Sequence, residues 1–162
     1  MPYSKDSKRG TDARPPEFYM KKALNEAKKA YKAGEVPVGA VVVSGGEVIA
    51  SAHNTVEKIG SVLGHAEIQA IKKAEKKVGG WRLSDCDIYV TLEPCPMCAG
   101  AIVNSRIKNL YYGASDDKAC SKNIFESEGY NHKVNCFSGI MKDECLSVIK
   151  DFFAERRSEK LK

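Results

Sequence analysis

A chain of 162 residues that is 43% hydrophobic and 29% charged amounts to about one domain of an ordinary globular protein, long enough to bury a real core. Its opening MPYSKDSKRG lacks the apolar stretch of a secretory signal and no run nears the roughly 20 apolar residues of a membrane span, so a cytoplasmic protein with reduced cysteines is expected. The net charge of +5 suits a polyanionic partner but does not separate an RNA-binding enzyme from a basic housekeeping protein.

Residues 1 to 14 are polar and aperiodic and are expected to form a disordered tail, with residues 15 to 162 a single domain. Pro15 and Pro16 open an amphipathic helix with Met20, Leu24, Ala27 and Tyr31 on one face and a stop at Gly34. VGAVVVS and EVIASA, separated by Gly45-Gly46, read as a hairpin, and the unbroken Val41-Val42-Val43 predicts a strand covered on both faces. Residues 54 to 64 read as a loop, and HAEIQAIKKAEKK as a helix turning Ala66, Ala70, Ile71 and Ala74 inward. After Gly79-Gly80 come a strand at DIYVT, a helix at PMCAGAIV and a strand at NLYYGA; Trp81 is expected in the core. A polar loop from about Ser115 to His132, a strand at KVNCFS and a last helix ending in the basic ERRSEKLK complete the chain. Met141, Cys145, Ile149, Phe152 and Phe153 share one face of that helix. Strands alternating with helices predict an α/β fold, a three-layer α/β/α sandwich, and the hairpin requires a mixed sheet, of about five strands.

The chemistry concentrates in two short stretches, HAE and EPCPMC. Cys95 and Cys98 lie three apart at a helix start, so both thiols face one object and the helix dipole favours their ionised forms. By itself the pair also fits a thioredoxin-like redox couple, and His65 alone fits a hydrogen-bonded surface or core histidine. Together, His65, Cys95 and Cys98 make three zinc ligands with the fourth position left to water, the pattern of catalytic zinc. Glu67, two residues after His65 at the same helix tip, is placed to carry protons rather than to ligate. H-x-E followed by P-C-x-x-C is the established signature of zinc-dependent nucleobase deaminases. Cys86, Cys120, Cys136 and Cys145 are read as ordinary thiols, and His53 and His132 are not assigned to the metal.

From about Phe18 to Arg157 the chain resembles the bacterial tRNA-specific adenosine deaminases of the cytidine deaminase-like superfamily. The stretches that carry the resemblance are EVPVGAVVV, HAEIQAI, WRLSDCDIYVTLEPCPMCAGAIV, SRIKNLYYGASDDK, NHKV and ECLSVIKDFF. The resemblance implies zinc on His65, Cys95 and Cys98, one ion per subunit, with Glu67 as the proton shuttle. It implies hydrolytic deamination of adenosine to inosine at the wobble position of tRNA anticodons, in a homodimer. It also implies that Asn54 bonds the base, that Asp116 lies near its ribose, and that Phe153 and Arg157 touch the anticodon loop. Each has a plainer reading: Asn54 and Asp116 as turn residues, Phe152 or Phe153 as core, and Arg156, Arg157, Lys160 and Lys162 as a solvated end. Two places depart from the family pattern. Ser61-Val62-Leu63-Gly64 replaces an Asp-Pro-Thr-Ala segment at the substrate entrance, and Cys120-Ser121-Lys122 replaces small residues. The competing readings are a deaminase of a free base or nucleoside (guanine, cytosine or cytidine) and an inactive zinc-stabilised RNA-binding module.

Overall fold

The computed structural model describes residues 14–161, so the expected tail, apart from Arg14, lies outside the described residues. Helix α1 (Pro16–Lys32) begins where Pro15 holds an extended conformation and Pro16 occupies the first turn, a position that needs no backbone N–H. Tyr19, Met20, Ala23, Leu24, Ala27 and Ala30 form its buried face.

Strands β1 (Gly39–Ser44) and β2 (Glu47–His53) pair antiparallel across a turn whose Gly45 and Gly46 both have positive φ, 57° and 81°. This is the backbone that joins twisted strands with two residues, and glycine adopts it without strain. Strands β3 (Cys86–Leu92), β4 (Asn109–Ala114) and β5 (Asn135–Phe137) complete a mixed sheet of order β2-β1-β3-β4-β5. β1 runs antiparallel to β3, whereas β3–β4 and β4–β5 are parallel.

Four further helices, α2 (Val56–Ile59), α3 (Ala66–Val78), α4 (Pro96–Asn104) and α5 (Ser121–Phe125), precede the terminal α6 (Lys142–Lys160). Alternation along each strand divides the side chains between two cores. Val41, Val43, Tyr89 and Tyr111 face α1 and the start of α6, while Ala40, Val42, Ile88, Val90 and Leu110 face α3 and α4. The unbroken valines therefore lie under helices on both sides, as the sequence predicts. On the α1 side Tyr89 and Tyr111 stack at 4.5 Å between centroids, and Phe137 continues the stack at 4.9 Å. Gly39 lets α1 lie directly on β1: a Cβ there would run into the Ala23 carbonyl and stand 2.6 Å from the Ala27 nitrogen.

Three expectations need correction. Residues 54 to 64 hold α2 and a 3-10 turn over Val62–Gly64, and the loop after β4 holds α5. Trp81 is not in the core but 49% exposed, with the Arg82 and Arg106 guanidiniums 4.4 and 5.9 Å from its ring centroid. The Gly79–Gly80 exit carries it past the end of α3, and Leu83, 1% exposed, fills the core instead.

Candidate active site

The site forms where the first residues of α3 and α4 meet beyond the end of β3. His65 precedes α3 in extended backbone (φ −59°, ψ 143°), and Cys95 precedes α4 in the same way (φ −69°, ψ 168°). Pro96, at the first position of α4, fixes the turn that brings Cys98 round to the side of Cys95. His65 Nδ1 lies 3.6 Å from Cys95 Sγ and 3.4 Å from Cys98 Sγ, and one ligand atom from each of the three lies within 4.8 Å of the others. One imidazole nitrogen and two sulfurs at this spacing make a donor set that would suit zinc. The Cys98 S–H and then the His65 ring hold the Cys95 thiol down at about 4, while the same contact with Cys95, followed by burial, pushes Cys98 up. Thiolate character, the metal-binding form, thus settles first on Cys95. His65 is raised in turn, chiefly by its hydrogen bond with Cys95.

Glu67, 4% exposed, sits in the first turn of α3, where burial pushes its carboxyl upward. It shares with His65 and Cys95 a pocket of about 220 Å³, also lined by Val36, Val38, Asn54, Leu92, Glu93 and Asp116. That volume is below the roughly 300–1,000 Å³ of drug-sized sites and suits one small planar group.

Asn54 lines this pocket and also makes the turn contacts of the plainer reading: Nδ2 donates to the Val36 carbonyl at 3.2 Å, and Oδ1 accepts from the Val56 amide at 3.1 Å. Asp116 lines the pocket and accepts from the Lys118 amide at 3.0 Å. The two phenylalanines separate, with Phe152 6% exposed and Phe153 42% exposed. Phe153 borders an outer groove of about 800 Å³ that shares Val36, Asn54 and His65 with the inner pocket. Arg157 is not among the groove residues; Arg156 and Lys160 are. Arg156 donates to the Gly34 carbonyl and lies 5.0 Å over the Phe152 ring. Sequence reasoning also passed over Glu93, a pocket residue whose carboxylate accepts from the Ser121 hydroxyl at 3.2 Å. Its position two residues before Cys95 was the available signal. His53 and His132 stand apart from the metal cluster, with His53 Nδ1 2.8 Å from the Glu26 carboxylate and His132 Nε2 2.7 Å from the Ile107 carbonyl. All six cysteines are free thiols.

Of the two departures from the family pattern, Cys120 takes a left-handed conformation (φ 54°). Glycine adopts this freely, whereas other residues lose about 1–2 kcal/mol. At the entrance, Val62 and Leu63 point outward, 68% and 53% exposed.

The family profile of MafB19-like deaminases matches residues 16–157. The tRNA-specific adenosine deaminase of Bacillus subtilis (strain 168) is 48% identical over 148 residues, covering 89% of this chain and 92% of the relative. The chain belongs to the tRNA-specific adenosine deaminase family, within the MafB19-like deaminases. A solved structure from work on A-to-I editing by tRNA:A34 deaminases at the wobble position of transfer RNA superposes on this family member with a TM-score of 0.78. It is 41% identical and covers 81% of this chain and 98% of its own. The guanine deaminase of Bacillus subtilis shares the deaminase fold at a TM-score of 0.62 and 32% identity, over 75% of this chain and 83% of its own.

Proposed function

We propose that this protein is a zinc-dependent hydrolytic deaminase that converts adenosine to inosine at the wobble position of tRNA anticodons, releasing ammonia. One observation carries the reading: in a chain 48% identical to a tRNA-specific adenosine deaminase, His65 and Cys95 of a His-Cys-Cys donor cluster line a single base-sized pocket together with the buried Glu67. His65, Cys95 and Cys98 would hold the ion, one per subunit. When bound, zinc supplies the positive charge that brings the pKa of a water down to about 7. Glu67 takes the proton of the attacking water as its oxygen bonds to C6 of adenine. It passes that proton to the ring nitrogen N1, then takes the second from the new C6 hydroxyl and gives it to the exocyclic amine; the C6–N6 bond breaks as the C6 carbonyl forms, ammonia leaves and the base is hypoxanthine. The Asn54 amide retains one N–H and one lone pair beyond its two turn contacts, enough to orient a purine edge. Asp116, which lines the pocket, would meet the ribose, and Val36, Val38 and Leu92, which line it too, would enclose the base.

A base reaches such a pocket only when turned out of its stack, which is inexpensive in a single-stranded anticodon loop. Phe153 offers a ring for a splayed neighbour, and Arg156, Arg157 and Lys160 offer cations for phosphates. A cytoplasmic location goes with a tRNA substrate; no helix among the described residues is long and apolar enough to cross a membrane. Exposed Ile59, Val62 and Leu63 (50, 68 and 53%) are apolar surface that a second copy in a homodimer would cover.

The test is incubation of the purified protein with an anticodon stem-loop bearing wobble adenosine, followed by sequencing for adenosine read as guanosine. Free guanine and cytidine serve as competing substrates, guanine because of the likeness to a guanine deaminase. Inosine in the RNA with little turnover of the free compounds is expected. Turnover of guanine or cytidine with unmodified RNA would overturn the proposal.

A further inference from the structure

The entrance segment between β2 and α3, where this chain departs from the family pattern, is fastened by a residue outside it. Glu35 lies in the turn between α1 and β1, 20 residues before Thr55, and is 3% exposed. Both its carboxylate oxygens face one donor, the Glu57 amide, at 2.7 and 3.2 Å. That amide lies in the first turn of α2, where no carbonyl of the helix can reach it. A carboxylate binds a backbone N–H about twice as strongly as a neutral acceptor does.

The same segment is closed on itself. The Thr55 amide donates to the Gly64 carbonyl at 2.8 Å, and a Cβ on Gly64 would stand 2.7 Å from the Val56 nitrogen. Gly64 precedes His65 directly, and Asn54, at the other end of the segment, lines the same pocket. Fixing α2 therefore fixes two walls of the base pocket at once. None of these contacts uses the side chains of Val62 or Leu63, which is why that stretch can differ from its relatives without collapsing the entrance.

We infer that Glu35 is a positioning residue for substrate fit, acting through the Glu57 amide on the Asn54–Gly64 backbone. The inference uses the RNA reading only to choose the substrate. Glu35→Ala is expected to raise KM for the anticodon stem-loop about tenfold, the effect of losing one charge-assisted hydrogen bond from the Glu57 amide to a buried carboxylate. The value of kcat and the zinc content should stay near wild type. Glu35→Gln retains an acceptor oxygen and is expected to recover most of the KM. Amide hydrogen exchange supplies a second readout: Glu57 should exchange faster in Glu35→Ala while the amides of α3 stay protected. A role in stability alone would not give this division between KM and kcat, nor a rescue by glutamine. Wild-type KM in Glu35→Ala overturns the inference, and so does a glutamine variant as impaired as the alanine one. If the wild-type protein forms no inosine in the stem-loop, the RNA reading falls, and unchanged Glu57 exchange in Glu35→Ala then overturns this inference separately.

Discussion

Glu67 is a carboxylic acid with almost no water of its own, held in the first turn of a helix beside three metal-type donors. Removing its proton-carrying capacity while keeping its shape isolates that role. Glu67→Gln is expected to lower the deamination rate by at least about 10²–10⁴-fold, the usual contribution of general acid–base catalysis, with zinc content by atomic absorption unchanged. Loss of the metal along with activity would instead make Glu67 a structural support of the donor set. At this scale the sequence is most informative where partners are close along the chain or share a helix tip, as in HAE and PCPMC. It is weakest where chemistry depends on rotation. Arg156 and Arg157 are neighbours about 100° apart on one helix, and the packing of Phe152 decides which of them faces the groove. Glu35 is hidden for another reason, since its one donor lies 22 residues downstream in an element of four residues.

The long elements follow from periodicity because their buried faces repeat. The alanines of α3, and Met20, Leu24 and Ala27 of α1, are buried as the spacing predicts, whereas Tyr31 at the end of that face is only half-buried. α2 and α5, of four and five residues, are too short to show a period at all, and they lie in the two loops that border the pocket. Trp81 escapes the pattern because a double glycine ends the helix before its turn comes. Between elements, the contact of α1 with β1 leaves no room for side chain at Gly39. Gly39→Ala is expected to destabilise the protein by about 1–3 kcal/mol, as overpacking of a dense interior does, read as a lower urea midpoint with unchanged m-value. A midpoint equal to wild type would mean that α1 yields at little cost.

Across the whole molecule, the mixed sheet can be derived only in part. A tight turn forces β1 and β2 antiparallel, and the intervening α4 lets β3 and β4 run parallel, but placing β1 between β2 and β3 depends on contacts remote in sequence. Cysteines distributed through this architecture give the fold an alkaline limit. Burial raises the Cys145 thiol to about 12 and Cys136 to about 11. An unfolded chain releases such protons near pH 8.5, whereas the native protein keeps them, so between these values the folded state binds more protons and stability falls as pH rises. The urea midpoint should therefore decline from about pH 8.5 to about pH 11, and Cys136→Ser should decline less steeply. Identical slopes in the two proteins would assign the decline to other groups.

Trp81 gives the molecule an unusual optical character. It is the only tryptophan among 162 residues, half in water and covered by two guanidiniums, whereas the sheet's own rings are tyrosine and phenylalanine. Indole emission therefore reports a surface that is already wet in the native state, and the melting of either core leaves it nearly unchanged. Near-ultraviolet dichroism of the stacked Tyr89 and Tyr111 is the signal that follows the fold, leaving the tryptophan band free to report what settles on the far end of α3.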